Sequence, residues 1–411
     1  MISHPPTHAQ THWDSILMLY RQRRTLMASP DLDAAVLART ESVLRYHLHV
    51  LARCAGFEAP ADQEPQAFAL LASRLSSPRE EVRRQGYEDA YAWLVEGGEA
   101  GQGALAALTL QPDQDASKLL DIYRDHEPLR PRLFDLWREQ GWEVPRGLLH
   151  RAELQGRDEA LQVAALTYAV NSPAVGMDLF QAYCRTLLDG GTPQLPGSVL
   201  VPALWGAMLR GEPQIGRMLR RAVEFEADPA TRFALLRLAA LRADAEILPV
   251  LRPLLQERPA QGARLLALHG SAQAVEILIE ALSQAATMEV AARAWPWIAG
   301  MALPQTPRLH RVGEAGGQGL MPDAQAAHSW WQCRRSTLSP DERMLCGAPL
   351  SLPRLHDLAL CKAGEAGRDI LDLLALKLGR PLAISPRAEQ AQRRAFLKAL
   401  PQASIHQGSN N

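Results

Sequence analysis

A reaction needs groups that converge: two carboxylates, a nucleophile beside a base, or several ligands around one ion. In this chain of 411 residues such groups are sparse. His47 and His49 stand two apart in a helical pattern, about 200° around the axis, and cannot share one metal. The five cysteines, Cys54, Cys184, Cys333, Cys346 and Cys361, are odd in number, far apart and free of any CxxC pair. They fit reduced cytoplasmic thiols. His356 and Cys361, with Cys346 upstream, would supply soft ligands only if the chain folded back, and a lone cysteine on an apolar helix face is ordinarily a buried thiol. The run GEAGGQG at 313–319 lacks the Lys-Ser/Thr ending of a phosphate loop and follows no strand pattern, so it is expected to be linker. No GxSxG turn and no cysteine with a neighbouring histidine is present. Glu80 and Glu81, Glu224 and Glu226, and Asp341 and Glu342 fall on polar helix faces or helix starts, where carboxylates favour the dipole. The expectation is a protein that is not an enzyme, with no catalytic residue, no cofactor and no metal.

Binding chemistry is better represented. Arginines cluster at Arg21, Arg23 and Arg24, at Arg83 and Arg84, at Arg217, Arg220 and Arg221, at Arg334 and Arg335, and at Arg393 and Arg394. On one concave face they would suit nucleic acid. Each cluster is bracketed by acids, however, and 44 basic against 45 acidic side chains leave a formal charge of −1, which argues against a dedicated nucleic-acid or membrane-surface binder. The nine tryptophans outnumber the seven phenylalanines. Trp295 and Trp297 flank Pro296, and Trp330 and Trp331 are adjacent in a helical stretch. Adjacent helix positions point about 100° apart, so at most one of that pair can sit centrally in a core. The other packs at a domain contact or is offered to a partner, where tryptophan is enriched. Trp330, Trp331, Arg334, Arg335 and Arg343 are the candidate partner-binding residues.

The elements that must carry these residues have a helical period, with alternating strand patterns nearly absent. Apolar stripes mark one helix over about 14–27, stopped by Ser29 and Pro30, and a second over about 32–51, a hairpin filling 1–60. From 61 to 300 short helices alternate with Gly, Pro and Asp. Within that region 238–245 (LAALRADA) overlays 265–272 (LLALHGSA) at an offset of 27 residues. Each copy is a helix, a tight turn at Ala243 or Gly270, a cap at Asp244 or Ser271, and a second helix. Looser copies turn at Gly211 and Gly364. A helix pair of this size cannot bury both apolar faces alone, so neighbours must stack. The expected fold is all-α: an α-solenoid of short HEAT-like helical hairpins with an N-terminal helical pair and a C-terminal helical extension. Pro249 and Pro253 should bend one of its helices. A Gly/Pro-rich linker is expected over 301–325, helix again over 326–401 with a pause at 338–341, and a disordered tail over 402–411. No run of about 18 apolar residues would span a membrane, and the first residues lack the basic and apolar regions of a secretory signal, so a cytoplasmic location is expected.

Several segments together resemble a bacterial family of HEAT-like repeat proteins, largely uncharacterised, often encoded beside type VI secretion genes. Trp13 with the arginine-rich end at 19–24 (LYRQRR) resembles the family's opening helix, and 37–48 its second. The segment 291–300 (AARAWPWIAG) looks like its A-F-x-x-I-T-G helix end, here without the threonine. Trp330 and Trp331 followed by 342–350 (ERMLCGAPL) are similar to its W-W … R-Y-L-x-G-x-P-L signature. A short Gly/Pro-rich stretch replaces the family's acidic insert. The resemblance implies a cytoplasmic accessory of secretion: a chaperone, co-chaperone or adaptor that handles an effector, its chaperone or a spike adaptor. It brings no catalytic residues. An immunity protein against a toxin, a HEAT-like nucleic-acid binder and an enzyme of the HEAT-like lyase type are the rival readings.

Overall fold

Helix starts and stops follow the local chemistry in a computed structural model that describes residues 6–54, 57–111, 116–150, 154, 158–188, 195–307, 319–336, 338–339 and 342–401. The N-terminal helices are α1 (Pro6–Met27), α2 (Ala34–Leu51), α3 (Glu64–Leu75), α4 (Glu80–Glu96), α5 (Gly98–Thr109), α6 (Ala116–Asp125), α7 (Arg130–Gln140), α8 (Glu159–Asn171) and α9 (Met177–Cys184). Then come α10 (Gly197–Leu209), α11 (Ile215–Phe225), α12 (Pro229–Arg242), α13 (Leu248–Glu257), α14 (Pro259–His269), α15 (Ala272–Leu282), α16 (Met288–Ala299) and α17 (Ala324–Arg335). The last are α18 (Leu352–Cys361), α19 (Gly364–Leu378) and α20 (Gln390–Ala399). The protein is all-α. Among the described residues the few strands form three antiparallel pairs: β1 (Leu32–Asp33) with β6 (Lys362–Ala363), β2 (Gln305–Pro307) with β3 (Leu320–Pro322), and β4 (Met344–Leu345) with β5 (Ala348–Pro349).

Contacts divide the chain into two compact units: the described residues of 1–182 together with those of 356–405, and those of 183–355. These lines of division are not the sequence boundaries at 60, 300 and 325.

In the first unit, Asp33 caps α2 by accepting the amide of Ala35. Leu37, Leu44, Leu48 and Leu51 then repeat on one buried face. Tyr20 of α1 stacks on Phe68 of α3 at 4.1 Å between ring centroids, and its hydroxyl donates to Glu64 at 2.6 Å. The returning segment closes this unit. Leu32 pairs with Ala363 and Asp33 with Lys362, so residues more than 300 positions apart share a two-residue ladder. Lys362 also meets Asp31 at 2.7 Å, and the amide of Gln390 donates to Glu41 at 2.8 Å.

The second unit is built from helix, left-handed turn, helix. Gly211, Ala243, Gly270 and Gly300 all have positive φ, of 77°, 56°, 63° and 73°. Asp244 and Ser271 cap the helical segments that open after the second and third of these turns, as the repeat at 238–245 and 265–272 requires. Helices α10, α12, α14 and α16 form a series in which each touches the next, and α11, α13 and α15 alternate with them in the chain. Pro253 lies inside α13, while Pro249 sits in its first turn where no amide is needed.

Two stretches depart from the expected pattern. The ends of the Gly/Pro-rich stretch pair as β2 and β3, with Gln305 opposite Pro322 and Pro307 opposite Leu320. Proline holds φ extended and tolerates an edge position, so this composition suits a short ladder as well as a loop. Residues 308–318, with most of the glycine run, lie outside the described residues, as do the tail at 402–411 and Asp341. The chain after 341 does not resume as helix either. Residues 342–350 form the β4–β5 hairpin with its turn at Cys346 and Gly347, because three of their amides and one guanidinium are engaged by helix ends elsewhere in the unit.

Candidate functional site

Asp323 opens α17 by accepting the amide of Ala326 at 2.9 Å. This phase turns Ala327 and Trp331, four apart, into the core, where Trp331 is only 1% exposed. Trp330 is rotated away from that face and is half-buried. Its ring stands edge-on to Trp295 of α16, 5.3 Å between centroids at 74°. The Arg334 guanidinium lies over the Trp330 ring at 4.3 Å, one turn further along the helix, and donates to the Trp330 carbonyl at 3.4 Å. Arg335 is exposed and reaches Glu276 of α15 at 3.1 Å. Such a surface pair contributes under about 1 kcal/mol and is readily exchanged for a partner's carboxylate. Trp330 and Arg334 therefore form a surface ridge, an aromatic face with a cation stacked on it; Arg335, about 140° around the helix from Trp330, is a separate, weakly held cation on the other flank of the buried Trp331 face.

Arg343 and Trp331 are not part of that ridge. The Arg343 guanidinium is enclosed and donates to three backbone carbonyls: Leu241 at 2.6 Å, Leu268 at 2.7 Å and Ala240 at 3.4 Å. Those are last-turn carbonyls of α12 and α14; Ala240 also accepts the Ala243 amide at 3.0 Å, whereas Leu241 and Leu268 lie where the helix supplies no further amide. One side chain thus caps two helices, and its charge sits at the negative ends of both dipoles. Burial pulls its pKa down to about 10, which leaves it cationic at neutral pH. The next residues continue the job. The Met344 amide donates to Gly270 at 2.8 Å, and the amides of Cys346 and Gly347 donate to Trp297 and Ile298 at 2.7 Å each. Arg354 holds the Cys346 carbonyl at 2.7 Å. Residues 343–347 form a strap that closes the C-terminal ends of α12, α14 and α16 in turn. The approach is close enough that a Cβ on Gly270 would lie 2.6 Å from the Met344 carbonyl oxygen, and one on Gly347 2.8 Å from that of Ala299.

No family model, curated protein or solved structure matches this chain.

Elsewhere the polar groups are mostly committed to structure. His47 meets His12 of α1, Nδ1 to Nδ1 at 2.8 Å, and burial and the neighbouring ring lower its pKa. Among the described residues no three His, Cys, Asp or Glu side chains stand together as a metal group, and no helix is long and apolar enough to cross a membrane. Burial raises the Cys184 thiol to about 12, which leaves it protonated and unreactive at neutral pH. Many of the clustered arginines are engaged internally. Arg23 pairs with Glu41, Arg24 with Glu64 and Arg220 with Asp244 and Glu246, while Arg393 is buried against the carbonyls of Ala359 and Lys362. A groove of about 220 Å³ in the second unit is lined by Phe233, Leu236, Val250 and Leu254 together with Arg232, Arg258 and Glu257 among others.

Sequence reasoning had no access to the strap, since Arg343 lies 75 to 103 residues from the carbonyls it binds. It also missed His269, which is fully buried beside the strap and bonded through Nε2 to the Asp244 carbonyl at 3.1 Å. The choice between Trp330 and Trp331 did have a signal: Ala327 and Trp331 share a helical face.

Proposed function

We propose that the chain is a protein-binding scaffold without catalytic activity, a HEAT-like α-solenoid whose ridge of Trp330 and Arg334, with Arg335 on the other flank of the same helix, receives a partner protein. The observation that carries this reading is the half-buried Trp330 ring with the Arg334 guanidinium stacked on it, the residue types most enriched where proteins bind one another. The solenoid part is supported by the contact series α10, α12, α14, α16 and by the repeated left-handed turns. The resemblance carried by Trp330, Trp331 and 342–350 nominates the partner: a type VI secretion effector, its chaperone or a spike adaptor, handled in the cytoplasm. The engagement of many clustered arginines with internal carboxylates and carbonyls leaves fewer of them for phosphates, so nucleic-acid binding ranks second.

The test is affinity purification of the tagged protein from its own host, followed by mass spectrometry. A toxin or spike adaptor should co-elute, and Trp330→Ala with Arg335→Glu should lose it while the fold is kept. Trp331→Ala belongs to a different class: removing a buried indole costs about 3–5 kcal/mol and lowers the yield of folded protein with or without a partner. Recovery of no partner, together with a shift of labelled DNA that weakens steeply with salt, overturns the reading in favour of nucleic acid.

A further inference from the structure

The solvent side of α2 carries a second surface. Val36 is 46% exposed, Val43 40% and Tyr46 61%, and Val50 continues the row half-buried. Their spacing of seven, three and four residues places them along one flank of the helix, over about 21 Å. Exposed Arg39 lies between the first two, and exposed Arg53 follows the end of the helix. Among the described residues neither arginine has a side-chain partner. The neighbouring cations are differently placed, since Arg45 is paired with Glu389. The one acid of α2, Glu41, is buried and bound by Arg23 and by the Gln390 amide. Among the described residues of α2 the exposed face is therefore an apolar stripe with two positive charges and no negative one.

We propose that this face docks an amphipathic helix of another protein that carries acidic residues beside its own apolar stripe. The apolar spacing is that of a helix seam, and the unpaired arginines call for carboxylates. A second copy of this chain is a poor occupant, because pairing α2 with α2 brings four arginines to a seam that contains no acid. The proposal rests on the chain being a protein binder, but on a surface distinct from the Trp330 ridge.

The test uses the full-length protein and a labelled synthetic helix of about 18 residues, with leucines on one face and glutamates flanking them. A second peptide has lysines in place of the glutamates. Anisotropy should show binding of the glutamate peptide alone. Val43→Gln with Tyr46→Gln should weaken it at least about tenfold, and Arg39→Glu with Arg53→Glu should transfer the preference to the lysine peptide. Both double variants alter exposed positions, and their melting temperatures should match the parent's. Trp330→Ala should leave peptide binding unchanged, so loss of the ridge and loss of this face are read separately. Equal binding of both peptides, or unchanged binding after Val43→Gln with Tyr46→Gln, overturns the proposal. So does a dimer in sedimentation that Tyr46→Gln abolishes, since that assigns the face to a second copy.

Discussion

His269 shows how a single buried group ties stability to pH. It is fully buried, its Nε2 bonded to the Asp244 carbonyl, and its Nδ1 has no partner among the described residues. Burial, with the nearby Arg343 charge adding to it, lowers its pKa to about 4 against the hydrogen bond that opposes the shift. An unfolded chain would protonate this ring at about 6.5. Between those values the unfolded state holds the extra proton, so this contribution to stability is complete above about 6.5 and is lost as pH falls toward 4. The predicted loss across that window is about 3 kcal/mol, from the shift at 1.36 kcal/mol per unit. Urea denaturation at a series of pH values checks it, and His269→Gln should flatten the slope between 4 and 6.5. A slope unchanged by that substitution would assign the pH dependence to other groups.

At the scale of elements the strap is the part with the most to lose. Helix ends present carbonyls that must find donors, and 343–347 supplies a guanidinium and three amides to α12, α14 and α16. Arg343→Ala leaves the carbonyls of Leu241 and Leu268 with no donor and should cost about 2–4 kcal/mol. Arg343→Lys should restore less than half of that, because an ammonium cannot span two helix ends with a planar fork. Chemical denaturation measures both, and amide exchange should speed up in the last turns of α12 and α14 together. Exchange that quickens in one helix alone would deny the shared cap. This contrast also marks how far the sequence could be read. The turns at Ala243 and Gly270 and the caps at Asp244 and Ser271 depend on residues a few positions apart, and their pattern stands in the chain. The buried Trp331 was within reach through its spacing from Ala327. The role of Arg343 was not, since a lone arginine in an irregular stretch looks the same whether it faces solvent or two helix ends.

For the whole molecule, the order of the chain makes one unit dependent on its own late sequence. Residues 356–401 return to the first unit, where Ala363 joins the apolar cluster of Leu32, Ala34 and Leu37. The same segment brings the Lys362 ammonium to Asp31, the Gln390 amide to Glu41 and the Glu389 carboxylate to Arg45. Helix α19 adds Ile370, Leu371, Leu373 and Leu374 as buried side chains, and α20 adds Leu397. At about 1.5–3 kcal/mol for each large aliphatic side chain withdrawn from water, their joint loss rivals the whole margin of a typical domain, about 5–15 kcal/mol. The described residues of the second unit, by contrast, are contiguous in sequence within 183–355. A fragment of residues 1–182 should therefore aggregate or melt without a cooperative transition, while one of 183–355 should retain helical circular dichroism and a cooperative melt. Supplying 356–411 in trans should rescue the first fragment, because the pairing of β6 with β1 and the Lys362–Asp31 contact need no covalent continuity through the second unit. A cooperative melt of 1–182 alone, as sharp as that of the full chain, would place the stability of this unit in its N-terminal helices and leave the returning segment an ornament on them.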